Sequence, residues 1–137
     1  MLLLDTHVWL WAGDGEARLG RKASRLIEHA AARDQLRLSP ASIFEVTALY
    51  SEGRIALHIP VERWIEEALE TDGVKVAELT VTVALEAGRI PRTALPDPMD
   101  RILVATARRL GATLVTADRG ILTYARANRL DVADARR

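Results

Sequence analysis

The chain has no cysteine among its 137 residues. Disulfides, thiolate-held zinc and cysteine nucleophiles are therefore excluded, and a reducing compartment is the simplest setting. No apolar run approaches the ~18 residues of a membrane span. The apolar start Leu2-Leu3-Leu4 has no basic segment ahead of it and is broken by Asp5, unlike a secretory leader. A cytoplasmic protein without membrane contact is expected. No charge of one sign predominates, since 19 basic and 19 acidic residues cancel. That balance argues against sequence-independent wrapping of nucleic acid, which needs a strong positive field, but leaves room for a local basic rim around an acidic pocket. Seventeen of the basic residues are arginine, a bias that genome composition produces as readily as phosphate binding does.

Several motifs are missing as well. There is no Gly-x-Gly-x-x-Gly for a dinucleotide, no Gly-rich loop ending in Gly-Lys-Ser/Thr, and no Gly-x-Ser-x-Gly elbow. Position 7, where aspartyl-phosphate chemistry would want a second aspartate after Asp5, holds His7. No repeat, linker or low-complexity segment divides the chain, so its length predicts one domain over residues 1–137.

What is present is an alternation of short apolar runs with helical periodicity, in a chain that is 49% apolar. That pattern predicts an α/β fold with a mostly parallel sheet and helices on its faces. Strands are expected at residues 2–5, 35–38, 74–79, 112–116 and 130–133. Helices are expected at 6–12, ended by Gly13-Asp14-Gly15, and at 21–33, where Ala23, Leu26, Ile27 and Ala30 share a face. Ser39-Pro40 opens another, with Ser42-x-x-Glu45 readable as a capping box and Gly53 as its stop. Further helices are expected at 60–71, from Thr80 through Ala87, from Asp97 or Pro98 to Leu110, and at 119–127.

Four carboxylates recur at comparable places in this pattern. Asp5 and Asp118 follow strands, and Glu45 and Asp100 stand near the starts of helices. In a parallel sheet all four face the carboxyl edge, where such folds build their sites. Together they would repel one another and raise at least one pKa. A hard divalent cation, Mg²⁺ or Mn²⁺, relieves that repulsion through oxygen ligands and serves phosphodiester chemistry. Thr6 and Thr116 are placed to orient the carboxylates by hydrogen bonds. Each acid also has a bland reading: Asp5, Asp100 and Asp118 suit helix caps or first turns, and Glu45 suits the capping box. Their joint placement at one edge favours the metal site. Asp97, three residues before Asp100, reads as an auxiliary acid or as the helix cap ahead of Pro98, with the cap slightly favoured. Arg54 and Arg101 are candidates for contact with RNA or a protein partner. Trp9 and Trp11, two apart on a helix, are not both expected in the core, which makes Trp11 a candidate contact as well. His7, His29 and His58 show no ligand spacing and read as surface or packing residues.

Five segments in order, Leu3-Leu4-Asp5-Thr6-His7-Val8-Trp9, Ser39-Pro40-Ala41-Ser42-Ile43-Phe44-Glu45-Val46, Gly53-Arg54-Ile55, Asp97-Pro98-Met99-Asp100-Arg101 and Leu114-Val115-Thr116-Ala117-Asp118, resemble PIN-domain proteins, especially VapC-type toxins of toxin–antitoxin pairs. The resemblance covers essentially the whole chain. It implies an α/β/α sandwich and a Mg²⁺- or Mn²⁺-dependent endoribonuclease with Asp5, Glu45, Asp100 and Asp118 as its catalytic acids, Asp5 and Asp100 holding the metal. It also implies an RNA substrate, a cognate antitoxin and a homodimer. A housekeeping PIN-domain ribonuclease without antitoxin and a non-catalytic binding module are the alternatives. An adjacent small gene for a DNA-binding protein separates the first, and failure to bind Mn²⁺ would support the second.

Overall fold

Strand β1 (Leu2–Leu4) lies at the centre of the sheet because its three side chains are all apolar and can be buried on both faces. The computed structural model describes residues 1–137. After β1 come α1 (Thr6–Asp14), α2 (Arg21–Ala32), β2 (Leu36–Leu38), α3 (Pro40–Ser51), α4 (Val61–Glu70), β3 (Val74–Val76), α5 (Val81–Arg89), α6 (Pro98–Leu110), β4 (Thr113–Thr116), α7 (Arg119–Asn128) and β5 (Val132–Asp134). The strand order is β3-β2-β1-β4-β5, and every neighbouring pair is parallel.

The chain builds outward from β1 in one direction, then returns to its other side. Right-handed crossovers put the helices of the two halves on opposite faces. The cores show this division. Leu2 and Leu4 join side chains of α1, α2, α3 and α4, whereas Leu3 joins Leu103, Val104 and Ala107 of α6 and Ile121, Tyr124 and Ala125 of α7. Helix α5 packs on α6 through Val83, Ala87 and Ala105. The result is the expected α/β/α sandwich, with a sheet that is parallel throughout. No helix is long and apolar enough to cross a membrane.

Several local expectations need correction. Helix α1 does not stop at Gly13. It runs to Asp14 and ends at Gly15, whose φ of 64° suits a left-handed cap. Gly13 is a packing glycine: a Cβ there would lie 2.8 Å from Trp64 Cζ2. Ser42 and Glu45 form no capping box. Ser39 caps α3, accepting from Ala41 N at 3.1 Å, which leaves Ser42 and Glu45 free to face the sheet edge. Strand β3 ends at Val76, because its one partner β2 ends at Leu38 and only Ala77 N continues the ladder, to Leu38 O at 2.8 Å. Strand β5 lies at Val132–Asp134, slightly beyond its predicted place.

The tryptophans depart furthest from expectation. Trp9 and Trp11 are both buried, 5% and 9% exposed, so Trp11 offers no contact surface. Two positions 200° apart on a helix can both be inside only if the helix is covered on two sides. Helix α1 is: the sheet lies on one side, and Trp64 of α4 closes the other, its ring centroid 4.9 Å from that of Trp9.

Candidate functional site

The order of the strands reverses between β1 and β4, and the crevice beyond the carboxyl ends of these two strands is where an open α/β sheet can receive a ligand. Asp5 follows β1 directly, and its N–H donates to Val115 O on β4 at 3.0 Å. Its side chain is buried. Oδ1 accepts from Thr6 N at 2.7 Å and Oδ2 from Thr116 Oγ1 at 2.6 Å. Each carboxylate oxygen is thus fixed by one donor and keeps lone-pair capacity towards the crevice. Thr116 Oγ1 also accepts from Asp118 N at 3.0 Å, so one hydroxyl ties Asp5 to the start of α7.

Asp118 caps α7, its Oδ1 accepting from Ile121 N at 2.9 Å, and is exposed. The expected cap and the expected site position are therefore the same residue. Glu45 stands half-buried in α3, with Oε1 3.2 Å from Thr6 Oγ1. That hydroxyl also lies 2.9 Å from Ser42 Oγ, which joins the starts of α1 and α3. Asp100 is half-buried in the first turn of α6, whose cap is Asp97, accepting from Met99 N at 2.9 Å.

The electrostatics tie these acids into one unit. Burial pushes the Asp100 carboxyl up to about 7, and Asp97, Asp118, Asp5 and Glu45 all push the same way. Asp5 is also raised, chiefly by burial, with its hydrogen bonds from Thr116 and Thr6 opposing. Burial raises Glu45 too, against the pull of the Thr6 hydroxyl. Among the acids, Asp97, the cap of the same helix, acts most strongly on Asp100, and Asp118, Asp5 and Glu45 add to it from three other parts of the chain.

As the side chains stand, no three acidic or imidazole groups are gathered closely enough to ligate one ion directly. The donors nevertheless suit a hard cation. All are oxygen, and Mg²⁺ commonly needs one or two carboxylates while keeping several waters. A cation would also favour the ionised form of Asp100, which its present surroundings oppose.

Two residues near the site escape sequence reasoning. His7 is exposed and lies close enough to Asp5 and Glu45 to favour their ionised forms. The only available signal is its place two residues after Asp5. Arg136 donates from Nη1 to Ala117 O at 2.6 Å, beside Asp118, a contact made only because β5 lies next to β4. Of the other candidates, Arg101 is half-buried with its Nε unpartnered and one Nη 3.5 Å from Pro96 O. Arg54 lies past the far end of α3, whose last residue, Ser51, is about 9 Å along the axis from Glu45. It is exposed and pairs with Glu52 at 3.6 Å. His29 and His58 are exposed on other elements.

Comparisons with known proteins agree with this geometry. A family model described as PIN domain matches residues 2–127. The chain is 38% identical over 123 residues to Ribonuclease VapC22 of Mycobacterium tuberculosis, covering 90% of this chain and 91% of that protein. Among solved structures, VapBC2 from Rickettsia felis bound to a DNA fragment from their promoter superposes with a TM-score of 0.68 at 16% identity, over 96% of each chain. A toxin–antitoxin complex from Klebsiella pneumoniae gives 0.67 at 17% identity, over 98% of each chain. These two structural likenesses bear on the fold, while the family model and the sequence relative establish kinship: the chain belongs to the PIN-domain family, among its VapC-type members.

Proposed function

We propose that the protein is a Mg²⁺- or Mn²⁺-dependent endoribonuclease and the toxin of a toxin–antitoxin pair, acting as one domain over residues 1–137. The observation that carries this reading is the convergence of Asp5, Glu45, Asp100 and Asp118 on the crevice between β1 and β4. The 38% identical relative is named a ribonuclease, which supports RNA as the substrate. The larger cavities lie away from the acids, as suits a chain-like substrate crossing an open crevice.

Asp5 and Asp100 would hold the ion, with Glu45 and Asp118 completing the acidic ring. When bound, a divalent ion supplies a lowered pKa to the attacking water and neutralises charge on the phosphodiester. The protein's own part is orientation. Thr116 and the Thr6 N–H lock the Asp5 carboxylate, and the Thr6 hydroxyl positions Glu45. Arg136 and His7 place positive or ionisable groups at the rim. The antitoxin partner rests on the VapC kinship and on relatives described as VapBC or toxin–antitoxin complexes. A homodimer belongs to the same reading, and the exposed Val81 and Leu85 of α5 give an apolar face that a second copy can cover.

Purified protein incubated with total bacterial RNA in Mg²⁺ or Mn²⁺ is expected to yield discrete fragments with 5′-phosphate and 3′-hydroxyl ends, and none in EDTA. EDTA-resistant cleavage or 2′,3′-cyclic ends would overturn metal-assisted hydrolysis. Thr116→Val keeps the shape but removes the donor to Asp5. It is expected to lower kcat by roughly 10–100-fold, the usual cost of losing a ligand's hydrogen-bond partner. Thr116→Ser should restore most of the rate. A Val variant as fast as wild type would remove Thr116 from the mechanism.

A further inference from the structure

The acids are not the only charged cluster that this fold assembles. Helix α6 carries Asp100 in its first turn and Arg108 and Arg109 in its last. At 1.5 Å per residue, Arg109 lies about 14 Å further along the axis. Arg89 ends α5, which lies against α6. The three arginines, with Glu86, Pro91 and Tyr124, line a cavity of about 550 Å³. Basic residues in a last helical turn are favoured by the helix dipole alone, so their position by itself means little. Two observations go further.

The first is that these guanidiniums lack carboxylate partners. Only Arg18, Arg54 and Arg63 among the arginines form ion pairs, and the cavity arginines remain unpaired although Glu86 shares their wall. Arg108 is instead held in place from behind. It donates to Tyr124 Oη at 2.8 Å and to Asn128 O at 3.0 Å, and it lies 5.2 Å from the centroid of the Tyr124 ring. Its remaining donors are thereby preorganised. Arg89 and Arg109 flank it with exposed side chains.

The second is continuity with the acids. Tyr124 also walls a neighbouring depression of about 460 Å³, bordered by Ala94, Thr123 and Arg119. Arg119 follows Asp118 in sequence. A track therefore runs along α7 from Arg119, past Tyr124, to the arginine cavity. Four of the seven residues lining that cavity are charged, three of them arginines, and it offers few of the apolar anchors on which protein partners depend. Guanidinium forks match phosphate oxygens in pairs.

We propose that the Arg89–Arg108–Arg109 cavity, at the far end of α6 from Asp100, binds the phosphate backbone of the same RNA strand whose scissile bond the acids hold. This rests on the ribonuclease reading of those acids and adds a second point of attachment to it. A molecule of zero net charge thus carries its positive field locally. A second basic cluster, Arg21, Lys22, Arg25 and His29 on α2, surrounds a separate cavity of about 520 Å³ that shares no residue with this track. It serves as the control.

Arg89→Gln/Arg109→Gln and Arg21→Gln/Arg25→Gln are compared with wild type by anisotropy of labelled single-stranded RNA in EDTA. One RNA spans both sites and one is too short to do so. The first variant is expected to bind the long RNA about tenfold more weakly, with a salt slope shallower by about 0.7 for each phosphate it no longer neutralises. Its affinity for the short RNA should match wild type, and in Mg²⁺ its KM for the long RNA should rise with kcat unchanged. The α2 variant should behave as wild type. Unchanged affinity and salt slope for the long RNA would overturn the proposal. So would an equal loss in the α2 variant, or an equal loss of binding to labelled polyglutamate. Should wild type cleave no RNA while the binding loss is as expected, the ribonuclease reading fails and the cavity stands as an RNA site.

Discussion

Asp100→Asn is expected to lower metal-dependent RNA cleavage by about a thousandfold, several kcal/mol of charge stabilisation at 1.36 kcal/mol per tenfold, and to make the metal-free protein more stable at neutral pH. The two effects have one cause. In the folded protein the Asp100 carboxyl is raised to about 7 by burial and by its four acidic neighbours, whereas in the unfolded chain it titrates near its ordinary value. The folded state therefore holds a proton that the unfolded state has already lost. The contribution of Asp100 to stability is greatest below the unfolded value, falls as pH rises towards about 7, and is flat beyond it. The raised Asp5 and Glu45 carboxyls act with the same sign. Asparagine carries no charge to bury, so the variant should lose much of this slope and melt above wild type at pH 8. Asp100 is only half-buried, and solvent screening limits the size of the gain. Mn²⁺ should then raise the wild-type melting temperature at pH 8 more than that of the variant, because a ligand stabilises the state that binds it. Circular dichroism melts from pH 5 to 8, with and without Mn²⁺, check this independently of activity. Undiminished cleavage by the variant, or a melting temperature at pH 8 no higher than wild type, would remove Asp100 from the site.

The placement of Asp5 and Asp118 was legible because a carboxylate directly after an apolar run, in a chain of alternating strand and helix, must stand at the carboxyl edge once the sheet is parallel. Glu45 was legible in place but not in setting. Ser39 and Ser42 are both plausible caps, and nothing local separates them. What decides is Thr6, 36 residues away from Ser42, which engages Ser42 and Glu45 at the sheet edge. Arg136 was out of reach for the same reason, since its bond to Ala117 exists only because β5 pairs with β4. The Arg89, Arg108 and Arg109 cavity depends on α5 lying against α6, and periodicity does not say which helix lies on which.

The tryptophans show the same limit inside the core, and they carry the largest expected loss of stability. Periodicity treats a helix as having one inner face, so Trp9 and Trp11 looked incompatible with common burial. The chain answers by covering α1 twice, and the second cover is Trp64. Its ring, 5% exposed and tilted 41° to that of Trp9, also occupies the space left by the missing side chain of Gly13. Trp64→Ala removes this cover and leaves a void that short, well-packed helices cannot close. The expected cost is about 3–5 kcal/mol, which for a domain of this size lowers the melting temperature by roughly 10–20 °C. Trp64→Phe keeps an aromatic face towards Trp9 and should lose markedly less. Because Asp5 and Thr6 stand at the start of the same helix, loosening α1 should also blunt cleavage before the protein unfolds, with activity falling at temperatures below the melting midpoint. A loss below about 1 kcal/mol for Trp64→Ala, within the ordinary range of single substitutions, would mean that α4 does not hold α1 against the sheet.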